Sequence, residues 1–173
     1  FPVLVPTGTT LFAGAPYDSR IVDGPIAGAR LSSGGGTGDM VSVGGTIYIV
    51  NFGTGMNVLR SFSATTAATI ASTAVSQPQQ LATDGTNVYF TDNNGALLKW
   101  VPGAGSSTTV ASAAAITTAL GTSPFFVGMT YYNSALYLTT FHGIVKITTA
   151  GAISLLTGSV DASKNGCNNG TLA

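Results

Sequence analysis

One histidine, one cysteine and six aspartates are the side chains of this 173-residue sequence best suited to general-base, thiolate or metal chemistry, and there is no glutamate. His142 could serve as a base or a metal ligand. A zinc site needs three or four nitrogen, sulfur or carboxylate ligands, and no spacing of His, Cys and Asp in the chain supplies them. His142 precedes Gly143, a dipeptide that suits a hairpin turn. A Ser-His-Asp triad is compatible with the composition, but the Gly-x-Ser-x-Gly turn that presents a nucleophilic serine is missing. The aspartates could help bind Ca²⁺, which takes several carboxylate oxygens. Asp92-Asn93-Asn94-Gly95 and the stretch from Asp161 to Asn169 are oxygen-rich. Neither has the EF-hand spacing, and Asx turns explain them equally well. The glycine-rich residues 34–38 lack the Lys-Ser/Thr of a phosphate loop. No catalytic residue, metal ligand or cofactor is therefore assigned, with Ca²⁺ the one ion the loops could suit. Cys167 has no partner cysteine in the chain and is a candidate intermolecular thiol.

The elements that must hold these residues are indicated by composition. The formal net charge is zero and charged residues make up 7%, against about 25% in an average domain. No basic patch exists to neutralise phosphates, which argues against nucleic-acid binding. No apolar run reaches the roughly 18 residues of a membrane-spanning helix. Glu, Lys and Arg normally coat helices and are nearly missing, whereas 23 glycines and many Ser and Thr favour strands joined by turns. A Ser/Thr-coated, almost uncharged surface predicts an extracellular or cell-surface location. The sequence begins at Phe1 rather than Met, which predicts a removed leader or a processed piece. Asn169-Gly170-Thr171 is an N-glycosylation sequon.

A pattern then recurs three times. Gly45-Thr46-Ile47-Tyr48-Ile49-Val50, Thr86-Asn87-Val88-Tyr89-Phe90-Thr91 and Ser134-Ala135-Leu136-Tyr137-Leu138-Thr139 each place a polar turn before an aliphatic-Tyr-aliphatic strand. A short strand precedes each copy (Met40–Val43, Gln80–Thr83, Phe126–Met129), and a strand bearing one cation follows (Arg60, Lys99, Lys146). A fourth strand closes each unit at Ala68–Ala71, Thr108–Ala111 and Ser154–Thr157. Four short strands in roughly 40 to 50 residues make one β-propeller blade. The expected fold is all-β: a single partial propeller domain over 1–173, with about three four-stranded antiparallel blades at roughly 32–74, 78–113 and 124–158. A further outer strand is expected at 9–14, with connectors at 15–31 and 159–173. Tyr48, Tyr89 and Tyr137 read as repeat-equivalent packing residues. Arg60, Lys99 and Lys146 read as repeat-equivalent, outward-facing strand residues that supply solubility and blunt edges.

The connector Val22-Asp23-Gly24-Pro25-Ile26-Ala27-Gly28-Ala29-Arg30-Leu31, with the Tyr48 strand after it, resembles the NHL-repeat pattern. In that family an Asp-Gly connector ending in Ala-Arg precedes a strand of the form Gly-x-aliphatic-Tyr-aliphatic-Ala-Asp. Val88-Tyr89-Phe90-Thr91-Asp92 is the best match, while Asn51 and Thr140 replace Asp92 in the other units, and Gly34-Gly35-Gly36 stands where Pro-x-Gly is expected. The resemblance implies a six-bladed ring, of which this chain would be half.

Three blades leave apolar faces open, so a partner is expected: the rest of the propeller, supplied by a second copy or another polypeptide. The leading functional reading is a secreted or cell-surface, non-enzymatic binding and scaffold module presenting loops to a protein or glycan ligand. Phe125, Phe126, Tyr131 and Tyr132 are the expected contact surface. One alternative is a propeller hydrolase or lyase whose metal site is completed by missing blades. Another is a structural subunit of an extracellular filament or surface layer.

Overall fold

Each of the three Tyr-centred segments forms the second strand of an antiparallel meander. The computed structural model describes residues 8, 11–14, 20–31, 37–52, 57–161 and 163. The first blade contains β2 (Thr37–Val43), β3 (Thr46–Asn51), β4 (Val58–Phe62) and β5 (Thr66–Thr69), with the two-residue β1 (Gly24–Pro25) added at its outer edge beside β5. The second contains β6 (Pro78–Thr83), β7 (Val88–Asp92), β8 (Leu97–Trp100) and β9 (Thr108–Ala111). The third contains β10 (Gly128–Tyr132), β11 (Ala135–Thr139), β12 (His142–Thr148) and β13 (Ile153–Ser159). β6 packs against β2 on one side and β10 on the other. The first strands thus line an inner seam, the sheets fan outward from it, and the arc is not closed among the described residues.

Tight turns set the register. Gly44 and Gly45 have φ of 56° and 79°, and Asn133 and Ser134 have φ of 46° and 58°. Two consecutive positive φ values give the mirror-image turn whose twist matches a two-residue hairpin. Each places a tyrosine in phase: Tyr48 opposite Val41, and Tyr137 opposite Thr130.

Alternation then gives every blade two different faces. The tyrosine-bearing face, here called leading, meets the aliphatic trailing face of the next blade. Tyr48 lies edge-on to Trp100 of the second blade, ring centroids 5.6 Å apart. Val50, Val88 and Phe90 share that core. Tyr89 stacks on Tyr131 of the third blade at 5.8 Å, in a core with Leu136, Leu138, Val145 and Ile147.

The trailing face of the first blade is covered by the chain's own connector. Ala29, Ile26 and Leu31 pack there on Phe62, Ala67, Ile47 and Ile49. Arg60 fastens this cover. Its side chain is fully buried, and its guanidinium donates to the carbonyl oxygens of Arg30 and Val22 and to Asp23 Oδ1. Asp23 in turn accepts from the Thr69 backbone N–H at 2.9 Å. Burial works to raise the Asp23 pKa, but the bonds from Thr69 and Arg60 prevail and hold it below the usual value.

These findings correct the expected equivalence of the three outward-facing cations. Arg60 pairs with Ile49 and lies on the trailing face, whereas Lys99 pairs with Tyr89 and Lys146 with Tyr137 on leading faces. Ser61 is the true counterpart of the two lysines. Arg60 is also buried rather than outward-facing. A one-residue offset moves a strand side chain to the opposite face, so the nearest cation in sequence is not the nearest in structural register.

Three further differences concern elements. Leu11–Gly14, the described part of the expected outer strand at 9–14, forms no strand; the added edge strand comes from the connector instead. The strand expected at Phe126–Met129 begins later, at Gly128. Between the second and third blades lies a helix, α1 (Ala113–Leu120), that composition argued against. Ser112 caps it by accepting from the Ala115 N–H at 3.2 Å, and Gly121 ends it in the left-handed conformation at φ 77°. Ile116 is its buried anchor.

Candidate functional site

Two adjoining clefts open at one end of the second and third blades. Their walls come from the β7–β8 turn, the segment leading into β10, the β11–β12 turn and the exit of β13. Asp92 shapes the first of these. Its Oδ1 accepts from the backbone N–H groups of Asn94 and Ala96, both at 2.9 Å, which fixes the turn as an Asx turn. Thr140 shapes the other, bonding the Gly143 carbonyl through its hydroxyl at 3.2 Å.

The first cleft encloses about 220 Å³ and is lined by Gln79, Gln80, Thr91 and the turn 92–95 on one side and by Ser123 to Phe126 on the other. The second, about 270 Å³, is lined by Thr122, Ser123, Phe125, Thr140, Phe141, His142, Val160 and Asp161. Phe125 and Ser123 border both. Phe125 and Phe141 stack with ring centroids 5.5 Å apart and planes within 5°, yet they remain 66% and 62% exposed. Phe141 was not singled out from sequence, because its partner lies on another loop.

The four expected contact residues separate. Phe126 is buried in the core between the second and third blades, and Tyr131 is held there against Tyr89. Phe125 stands at the cleft end, whereas Tyr132 is 69% exposed at the far end of β10, on the leading face. Tyr132 lies 6.5 Å from Tyr137, over whose ring Lys146 Nζ sits at 6.0 Å. This leading face has no blade against it among the described residues. His142 is half-buried and opens β12 at the second cleft, where Ser123 and Asp161 also contribute. Among the described residues no three His, Cys, Asp or Glu side chains gather as a metal site. Cys167 and the sequon at 169–171 lie outside the described residues.

The opposite end is more tightly bonded. Asp84 accepts from the Asn87 N–H at 2.7 Å and from the Tyr89 hydroxyl at 3.0 Å. Burial, with the bond to Asp84 adding to it, pushes the Tyr89 hydroxyl pKa up to about 12.

Sheets of this order define a partial β-propeller, an arc of three antiparallel blades. No family model matches the chain, and no curated protein matches it. Solved structures do match in fold. One is a structural genomics protein of unknown function from Bacteroides thetaiotaomicron VPI-5482, with a TM-score of 0.52 at 13% identity over 87% of this chain. At that identity the likeness extends to the fold alone. The chain spans half the length of that protein, 50% of which is covered. No helix of the described residues is long and apolar enough to cross a membrane.

Proposed function

We propose that the chain is a segment of an NHL-like propeller acting as a non-enzymatic binding and scaffold module, at the cell surface or outside the cell, within a larger assembly. One observation carries this reading: the leading face of the third blade is built like the two covered leading faces but has no covering sheet among the described residues. Tyr48 and Tyr89 are buried against the next blade, while Tyr137 at the same register is only half-buried beside an exposed Tyr132. The two internal interfaces state what fits there, namely a sheet with an aliphatic-x-aliphatic trailing face such as Val88 and Phe90 or Leu136 and Leu138. The corresponding face of a second copy lies under its own connector. A further blade of the same pattern, on this polypeptide or another, therefore suits the site better than a head-to-tail dimer. The fold likeness to half of a longer chain supports the same reading, and the low charge content supports the location.

Light scattering with native mass spectrometry, on protein taken from its natural source, tests the proposal. A particle larger than the 17.3 kDa of this chain is expected. A monodisperse particle of that single mass overturns it.

A further inference from the structure

The two blade junctions differ at the cleft end in a way that packing does not explain. At the first junction, side chains knit the loops together. Asn57 donates from its backbone N–H to Gln77 Oε1 at 3.1 Å and from its Nδ2 to the Pro78 carbonyl at 3.2 Å. Asp39 accepts from the Leu81 N–H at 3.2 Å. At the second junction the equivalent β7–β8 turn faces the lead-in to β10 across the first cleft, and no hydrogen bond between them is found among the described residues.

The cleft nevertheless holds an ordered set of unused polar groups. Gln80 Oε1 takes the Thr91 hydroxyl, leaving the Gln80 amide NH₂ without a partner among the described residues. Gln79 Nε2 donates to Asn93 Oδ1 at 3.4 Å, leaving the Gln79 carbonyl oxygen and the Asn93 NH₂. Asp92 Oδ2 meets only the Asn94 amide at 3.5 Å. Two donors and two acceptors thus line one side, and the exposed Phe125, stacked on Phe141 of the adjoining cleft, lines the other.

We infer that this cleft binds a neutral oligosaccharide. Adjacent sugar hydroxyls both donate and accept, as a mixed array of amides and one carboxylate oxygen requires. The C–H face of a pyranose ring packs on an aromatic ring, which gives the otherwise wasteful exposure of two phenylalanines a use. No Lys, Arg or His lines this cleft and Asp92 does, which disfavours phosphorylated or acidic sugars. The inference deepens the binding-module reading and rests on it, but the cleft lies wholly within the second and third blades.

Isothermal titration of the 173-residue chain with hexasaccharides of glucose, mannose, xylose and N-acetylglucosamine tests it, with inorganic phosphate and a proline-rich decapeptide as comparison probes. At least one neutral hexasaccharide is expected to bind, with phosphate silent. Phe125→Ala is expected to weaken that binding tenfold or more, and Gln79→Ala several-fold. Phe125 is exposed, Gln79 is half-buried and neither belongs to an inter-blade core, so both replacements should leave the melting temperature nearly unchanged. Failure of every hexasaccharide at millimolar concentration, binding of the peptide alone, or sugar binding indifferent to Phe125→Ala overturns the inference. None of those results bears on whether a further blade covers Tyr132 and Tyr137, which the particle mass reads separately.

Discussion

The two outer faces of the arc have solved one problem differently. The trailing face of the first blade is apolar, and residues 20–31 fold back to cover it, with Ala29 fully buried and Arg60 bonded to Val22, Arg30 and Asp23. The leading face of the third blade carries two tyrosines and a lysine and has no such cover among the described residues. A sheet face can be completed locally, by a connector of the same chain, or from beyond, by another sheet. The first solution needs a fastening, because a short irregular segment brings little apolar area and many backbone carbonyls. Arg60 supplies it, since one planar guanidinium can satisfy several of those carbonyls at once. The second solution needs only a complementary sheet, and the third blade presents the same tyrosine that the other two use for that purpose.

The largest expected effect is at the fastening. Arg60→Leu removes three hydrogen bonds donated by a buried cation and leaves the Val22 and Arg30 carbonyls only the backbone bonds they accept from each other's N–H groups. It is expected to cost about 2–4 kcal/mol, because Asp23 is 45% exposed and can rehydrate. Urea denaturation monitored by Trp100 fluorescence would measure it. The same contact predicts an acid dependence. Folding depresses the Asp23 pKa, so its contribution is present above the ordinary carboxylate pKa and is lost as the pH falls through the lower folded value. Arg60→Leu should therefore flatten the acid limb of stability against pH. An unchanged limb would show that the connector is held by apolar packing alone.

The next effect sharpens the comparison itself. Tyr48→Ala empties space beside Trp100 and should cost about 3 kcal/mol, in the range for buried aromatics. Tyr137→Ala, at the same register on the uncovered face, should cost less than about 1 kcal/mol in the isolated chain. Equal losses would mean that the third blade is covered by something the described residues do not include.

The fold is legible in the sequence where period two governs. The three tyrosine strands, their turns and the first-to-third strand order follow from alternation and from Gly44-Gly45 and Asn133-Ser134. It is not legible where one residue of phase matters: Arg60 and Lys99 look equivalent in spacing but face opposite sides. The helix at Ala113–Leu120 has legible signals in Ser112, the alanine run and Gly121, set against a scarcity of the charged residues that usually coat helices. The candidate site was least legible. Phe125 was singled out, but its stacking partner Phe141 and the amides of Gln79 and Gln80 come from separate loops, brought together only by the packing of the second blade on the third.

Hydroxyl-radical footprinting read at individual tyrosines tests the central claim most directly, comparing the 173-residue chain alone with the particle from its natural source. In the chain alone, Tyr132 and Tyr137 should react while Tyr48 and Tyr89 stay protected. In the native particle, Tyr132 and Tyr137 should become protected as well. Equal reactivity of Tyr132 and Tyr137 in both preparations would contradict the account, because it would mean that no further blade covers that face.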